Sequence, residues 1–427
     1  MAKNSKVSLR NMAVYQVFVR QHSETGDFLG VVKDLDRIKD MGFDVVYLLP
    51  FHPIGKKDRK GDVGSPYAIF DYYEIDTAHG TLDDLITLRK EVNKRGMKLM
   101  MDIVFNHTSR DSKLTVDHPE WFYKNSNGGF ANRVGDWSDI TDLNYDIKAV
   151  WEYMANVLAY WAKYVDGFRC DVAPLITIDF WEYAKEIVSK VNKDMIWLTE
   201  SVEPSFIKYI RDIGYDASSD STMYDVFDVC YDYDIFKYMD DFLKDESKLS
   251  RWLEEIMRQE TIYPKNYVKL RSFENHDQDR IASKVKDLKQ LMHLTAMQMF
   301  IKGMPMIYAG QEHLIKKRPD LFEKDLIKWN KDNSIEEILL TLNKLKKDPI
   351  MSTGVFELKD KENAIFTFSN DEKVRYGIFD LRDRKRLSVP LKDGRYDNLY
   401  NGKEVIVKQG YIEDLKDPVI IDIKNSF

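Results

Sequence analysis

Val165–Asp171 reads Val-Asp-Gly-Phe-Arg-Cys-Asp, a short apolar run that ends in a carboxylate. In an extended chain Arg169 and Asp171 share a face, because alternate side chains point the same way. A cation beside a carboxyl favours its charged form. An ionised carboxylate at a strand end suits nucleophilic attack at a sugar's anomeric carbon, and a second, protonated carboxyl would release the leaving oxygen. Candidates for further acids stand at the ends of other apolar runs. Glu200 follows Met195–Thr199, Asp277 comes shortly after Val268–Phe273, and Asp102 lies inside Lys98–Val104. His107 and His276 stand near the ends of two of these runs. Each feature alone has a bland reading: a structural ion pair capping a sheet, or a histidine satisfied in a core. Several acids meeting two histidines and an arginine would gather negative charge at a cost that function, not packing, explains.

Such a meeting requires elements that bring distant strand ends to one face. Ala13–Val19, Val45–Leu49, Lys98–Val104, Val165–Asp171, Met195–Thr199, Met223–Tyr231, Val268–Phe273 and Met304–Tyr308 read as strands by aliphatic and aromatic content. Helical spacing falls between them, as in Gly30–Met41, Leu82–Arg95, Ile147–Tyr164, Phe180–Val191 and Leu288–Ile301. Pro204 suits a helix start, and Ser334 suits the cap of a last helix running to about Lys347. Eight strand–helix units predict a (β/α)8 barrel, whose strand C-termini converge on one face. The polar stretch 108–146 interrupts the alternation and reads as a small inserted subdomain after the third strand. From 348 to 427 the period changes to two, with turn pairs Asp393-Gly394 and Asn401-Gly402, which predicts a C-terminal antiparallel β-sandwich domain. The expected organisation is a catalytic barrel over 1–107 and 147–347, with these two attachments.

Composition narrows the function classes. The chain has 427 residues, with 64 Lys and Arg against 71 Asp and Glu, a net charge of −7. That balance argues against a nucleic-acid partner. No run approaches the length of a membrane span, and the N-terminal residues carry no apolar leader core. Two cysteines, Cys170 and Cys230, make no disulfide framework, so a reducing, cytoplasmic location is expected. Aromatics at 13 % suit stacking on sugar rings and suit a large core equally. The run Lys56, Lys57, Arg59 and Lys60 reads as a solvated loop, with a phosphorylated-sugar site as the sharper alternative. Oligomeric state is not legible.

Six segments carry a resemblance: SPYAIFDYY, DIVFNH (Asp102–His107), GFRCD (Gly167–Asp171), LTESVEPS (Leu198–Ser205), FENHD (Phe273–Asp277) and GMPMIYAGQE (Gly303–Glu312). Together and in this order they resemble the α-amylase-type glycoside hydrolases, which include α-amylases, α-glucosidases and oligo-1,6-glucosidases. The resemblance implies Asp171 as nucleophile, Glu200 as general acid/base and Asp277 as the acid gripping sugar hydroxyls in the transition state. It implies that Arg169 holds Asp171 charged, that His107 and His276 bond hydroxyls, that Tyr67 stacks under the sugar and that Asp102 supports the site. The implied reaction is retaining hydrolysis of α-1,4 bonds in maltooligosaccharides or starch-like glucans, with no cofactor. The sequence leaves open α-1,6 action, glycosyl transfer or isomerisation, and, more remotely, glucan binding without catalysis. Two departures bear on this. Val172-Ala173-Pro174-Leu175 stands where many α-amylases carry a Lys-His pair, and Val172 resembles the oligo-1,6-glucosidases, whereas SPYAIFDYY resembles α-1,4-acting enzymes. Asn106 matches a structural-calcium ligand, yet no cluster of partner oxygens is evident around it, and no metal ligand is assigned.

Overall fold

The computed structural model describes residues 2, 5–135, 137–330 and 332–425; the outermost ends of the expected first and last domains, residues 1 and 427, lie outside these. Eight parallel strands close into a barrel, each hydrogen-bonded to its neighbours in sequence. They are β1 (Val14–Val17), β2 (Val45–Leu48), β3 (Lys98–Ile103), β4 (Gly167–Cys170), β5 (Ile196–Thr199), β6 (Val229–Tyr231), β7 (Lys269–Arg271) and β8 (Met304–Tyr308). Pairing of Val14 with Val45 on one side and Met306 on the other closes the ring.

Alternation sorts side chains between the barrel's interior and its helical shell. Val14, Val45, Met100, Leu198, Val229, Leu270 and Met306 fill the interior. On β4, Phe168 and Cys170 belong to the outer core. Gly167 has no side chain because a Cβ there would meet Met100 Cε at 2.9 Å and the Ile196 carbonyl at 3.2 Å. The surrounding helices start where the sequence signals starts. Thr81 and Asp84 form a reciprocal capping box on Leu82–Lys94, and Pro204 opens Pro204–Asp212.

Three elements depart from their sequence reading. Gly30–Met41 is two short helices, Phe28–Val32 and Leu35–Asp40. The break falls beside Asp34, whose carboxylate is drawn to Arg37 and His22. Of the stretch Met223–Tyr231 only Val229–Tyr231 is strand. Tyr224, Val226 and Phe227 are buried as irregular core, so apolarity there reports packing and not a ladder. The helix read as the last one is Glu336–Lys346, with Ser334 Oγ accepting from the Glu336 N–H, and a further short helix, Ile350–Thr353, follows it.

His107–Ser109 pairs with Ile140–Asp142 within the segment inserted after β3. The C-terminal part holds a four-stranded antiparallel sheet of Val355–Asp360, Ile365–Ser369, Lys373–Ile378 and Val419–Lys424. Two two-stranded ladders lie beside it. Asn401-Gly402 sits in the turn between Gly394–Asp397 and Glu404–Val407, with Gly402 at φ +70°. Asp393-Gly394 is not a hairpin turn; the Asp393 carboxylate instead accepts the N–H groups of Gln409 and Gly410. Gly377 receives the ring of Phe300, from the barrel helix Leu288–Phe300, where a Cβ would lie 2.8 Å from that ring. Among the described residues no helix is long and apolar enough to cross a membrane.

Candidate active site

The ladder of β3, β4 and β5 sets the site. Asp102 is in register with Arg169, and pairing continues one residue past the strands: Asp171 N–H donates to the Ile103 carbonyl at 2.8 Å and Glu200 N–H to the Cys170 carbonyl at 3.0 Å. Two carboxyls therefore leave adjacent strands at the same level. Arg169 points into the barrel and is fully buried. Its Nη1 donates to Asp171 Oδ1 at 2.7 Å and to both Asp102 oxygens at 2.9 and 3.0 Å. Its Nη2 lies 2.8 Å from Glu200 Oε1. Asp102 also accepts from the hydroxyls of Tyr47 at 2.5 Å and Tyr67 at 3.1 Å.

One guanidinium thus faces three carboxylates. Burial pushes Asp171 well above the usual carboxylate range, the Glu200 charge adds to this, and Arg169 opposes it. Burial also raises Glu200; Arg169 and the Val172 N–H work against this and the Asp277 charge reinforces it. Arg169, which the resemblance gives as holding Asp171 charged, does act to lower the Asp171 pKa, but its charge is divided among three carboxylates, and burial together with the Glu200 charge outweighs it. Asp277 goes the other way. Burial raises it, but His276, with smaller contributions from Arg169 and Arg318, holds it below the usual range. His276 Nε2 lies 2.9 Å from Asp277 Oδ2. The Gln16 amide nitrogen lies 3.1 Å from His276 Nδ1, and the Tyr67 hydroxyl lies 2.6 Å from His276 Nε2.

Val172 follows the would-be nucleophile in the left-handed region, at φ 35° and ψ 37°. A β-branched residue there stores about 1–3 kcal/mol of strain. The conformation aims its N–H at Glu200 Oε2, 2.9 Å away.

A cavity of about 330 Å³ opens over these groups, lined by Tyr67, His107, Asp171, Val172, Glu200 and Asp277 among others. Asp102 and Arg169, the supporting residues that the resemblance implies, are fully buried beneath it. His276 is buried at its edge, its ring stacked on Tyr67 at 5.4 Å. Burial lowers the pKa of His107, which lines the cavity.

Trp137, Asp139, Leu321 and Phe322 also line the cavity and escaped the sequence reading, and Lys60, from the basic run, lines it too. Lys60 lies in the loop with its side chain 35 % exposed, and its Nζ pairs with Asp139 Oδ1 at 3.1 Å at the cavity wall. The Val63 and Gly64 N–H groups both donate to the Phe322 carbonyl, joining the loops after β2 and β8 into one rim. Trp137 packs on His107 at 5.6 Å and on Phe206 at 6.3 Å. Their one signal was aromatic and charged residues in loops following barrel strands. Asn106 Oδ1, the position matched to calcium, accepts from the Arg133 guanidinium.

Comparison with known proteins places this geometry. The profile for "Alpha amylase, catalytic domain" matches residues 16–137 and 115–376, and that for "Bacterial Alpha amylase C-terminal domain" matches 355–421. The crystal structure of an alpha-amylase from Lactobacillus plantarum superposes with a TM-score of 0.94 at 38 % identity, covering 98 % of this chain and 100 % of that one. An alpha-1,4-glucan:maltose-1-phosphate maltosyltransferase from Picrophilus torridus is 26 % identical, with 93 % of this chain and 66 % of the relative covered. An intracellular maltogenic amylase from Bacillus subtilis is also 26 % identical, over 83 % of this chain and 61 % of its own. The chain thus spans under two thirds of the length of these two curated relatives. With its catalytic-domain profile running through the barrel and its nearly full-length structural match, the chain belongs to the α-amylase family.

Proposed function

We propose that the protein is a retaining α-glucan hydrolase that cleaves α-1,4 bonds in maltooligosaccharides or starch-like glucans through a covalent glycosyl-enzyme. The observation that carries this is one guanidinium bridging two carboxyls on the floor of a sugar-sized cavity. Retaining glycosidases need their carboxyls about 5 Å apart, and two groups held by Nη1 and Nη2 of one arginine are kept close. A bound sugar brings its leaving oxygen to Glu200, whose raised pKa suits it to carry the proton it donates there. Positive charge developing at the anomeric carbon favours the Asp171 anion, which attacks as the glycosidic bond breaks and the proton passes to the leaving oxygen. Glu200, now ionised, takes a proton from water, whose oxygen displaces Asp171 and restores the pair. Asp277, kept ionised by His276, faces the same cavity and stabilises the positive charge. These groups supply acid, base and nucleophile, so the reaction needs no cofactor.

The joined rim and the Lys60–Asp139 bridge close one side of the cavity, which supports action near a chain end with release of short products. Transfer to a second sugar is the alternative, favoured by likeness to the maltosyltransferase. A cytoplasmic location is supported by likeness to the intracellular amylase. The test is a product time course on maltoheptaose, isomaltotriose and trehalose, with Asp171→Asn as control. Short maltooligosaccharides from maltoheptaose are expected. Turnover of isomaltotriose alone would replace the α-1,4 reading, products longer than the substrate would make the enzyme a transferase, and binding without products would remove catalysis altogether.

A further inference from the structure

One buried cation ties the inserted segment to the loop that follows the nucleophile. The side chain of Arg133 is 5 % exposed. Its Nε donates to Asp142 Oδ2 at 2.9 Å, and its backbone N–H reaches the same oxygen at 3.0 Å. Its Nη1 donates to the Leu175 carbonyl at 3.0 Å and its Nη2 to Asn106 Oδ1. These acceptors come from three separate stretches. Asn106 follows β3, Asp142 ends the strand Ile140–Asp142, and Leu175 closes the short turn Ala173–Leu175 just past Asp171 and Val172. Tyr123 and Tyr215 flank the guanidinium, with ring centres 5.2 and 5.7 Å from its carbon.

A carboxylate, an amide oxygen and a main-chain carbonyl converging on one centre are the donors a hard divalent cation takes. Here the chain's own guanidinium holds that centre, so calcium does not fit without displacing it. Asp142 Oδ1 is also buried and has no hydrogen-bond partner, an acceptor that an ion would find if the guanidinium were gone.

We propose that Arg133 is a built-in substitute for a structural calcium ion. It cross-links the loop after β3, the inserted segment and the turn after the nucleophile, and it frees that junction from any need for metal. Arg133 is a positioning residue: through Leu175 it steadies the turn beyond Val172, whose N–H holds Glu200.

The test compares the full-length protein with Arg133→Ala and Arg133→Lys, following thermal unfolding in EDTA, in millimolar CaCl2 and in millimolar MgCl2, with elemental analysis of the purified chain. The unaltered protein should carry no stoichiometric calcium and melt at the same temperature in all three. Arg133→Ala should melt several degrees lower in EDTA and recover much of the loss in calcium, less in magnesium; Arg133→Lys should fall between. A wild-type melting temperature that drops in EDTA overturns the proposal. So does an Arg133→Ala protein that keeps wild-type stability, or one that is destabilised and does not respond to calcium. If Arg133→Ala does not accumulate as folded protein, refolding from urea gives the same reading. Folded yield in calcium alone supports the proposal, and none in either condition overturns it.

Discussion

Two buried charge clusters on this barrel are built from similar groups and behave differently. Inside the barrel, Arg169 faces Asp102, Asp171 and Glu200. Outside it, between β7 and its neighbouring helices, Lys269 pairs with Asp220 and Asp234, and Arg271 pairs with Asp232. Leu270, between them, points into the barrel interior. The outer cluster sets two cations against three carboxylates, and Gln259 bridges Asp232 and Asp234 with further hydrogen bonds. The inner cluster has one cation for three acids, and its acids open onto a cavity. The outer arrangement comes nearer to charge balance, and each of its three carboxylates has a cation within 3 Å. The inner one has less positive charge to share and faces open space, the setting in which perturbed carboxyls serve chemistry and not only packing.

The sharpest way to break this contrast is to remove an inner acid. Asp171→Asn and Glu200→Gln should each lower kcat by about 10³-fold or more, with an unchanged circular dichroism spectrum. Near-normal turnover in either would end the assignment. Asp171→Asn should also be more stable than the parent at neutral pH. The sign follows from linkage: the pKa of Asp171 is raised on folding, so the folded state binds more protons and loses stability as pH rises through that window. A neutral amide removes the loss, and a higher melting temperature at pH 7 that narrows towards pH 4 is the expected result.

The outer cluster should answer in the opposite currency. Arg271→Met leaves Asp232 buried without its cation and should cost about 3–5 kcal/mol in chemical denaturation, while kcat of the folded fraction stays near the parent's. A collapse of kcat at full foldedness would mean the two clusters are coupled.

The pH profile separates the inner acids from one another. With Asp171 and Glu200 raised and Asp277 lowered, kcat/KM should fall on the alkaline side as Glu200 loses the proton it donates. Glu200→Gln should abolish that limb in its residual activity. The smallest effect is expected at the rim. Lys60→Ala or Asp139→Ala removes one ion pair and should change KM a few-fold and lengthen the products from maltoheptaose, read by chromatography.

The acids were legible in sequence for a physical reason. A barrel strand is a mostly apolar run, and a carboxylate directly after it marks the end that opens on the site, as Asp171 and Glu200 do after Cys170 and Thr199. Arg169 and Asp171 two apart gave the ion pair. Distant meetings were not legible. Lys60 reaches Asp139, Phe322 joins the loop after β2, and Arg133 reaches Leu175 through folding alone. Nor did the sequence distinguish the apolar chain before β6 from a strand, since Tyr224 and Phe227 pack without pairing. The division of Arg169 among three acids needed coordinates, because Asp102 enters from another strand.

The contact between Phe300 and Gly377 bears on how the molecule comes apart. Phe300 also packs on Phe368 and Phe379 at 5.5 and 5.6 Å, and Arg375 donates to the Leu345 carbonyl and to Asp348. The C-terminal sheet cannot leave without stripping the barrel's last helices of their cover. Heating should therefore produce one calorimetric transition, with van't Hoff and calorimetric enthalpies in agreement, and the small sheet should act as a thermal lock on the barrel and not as a detachable appendage.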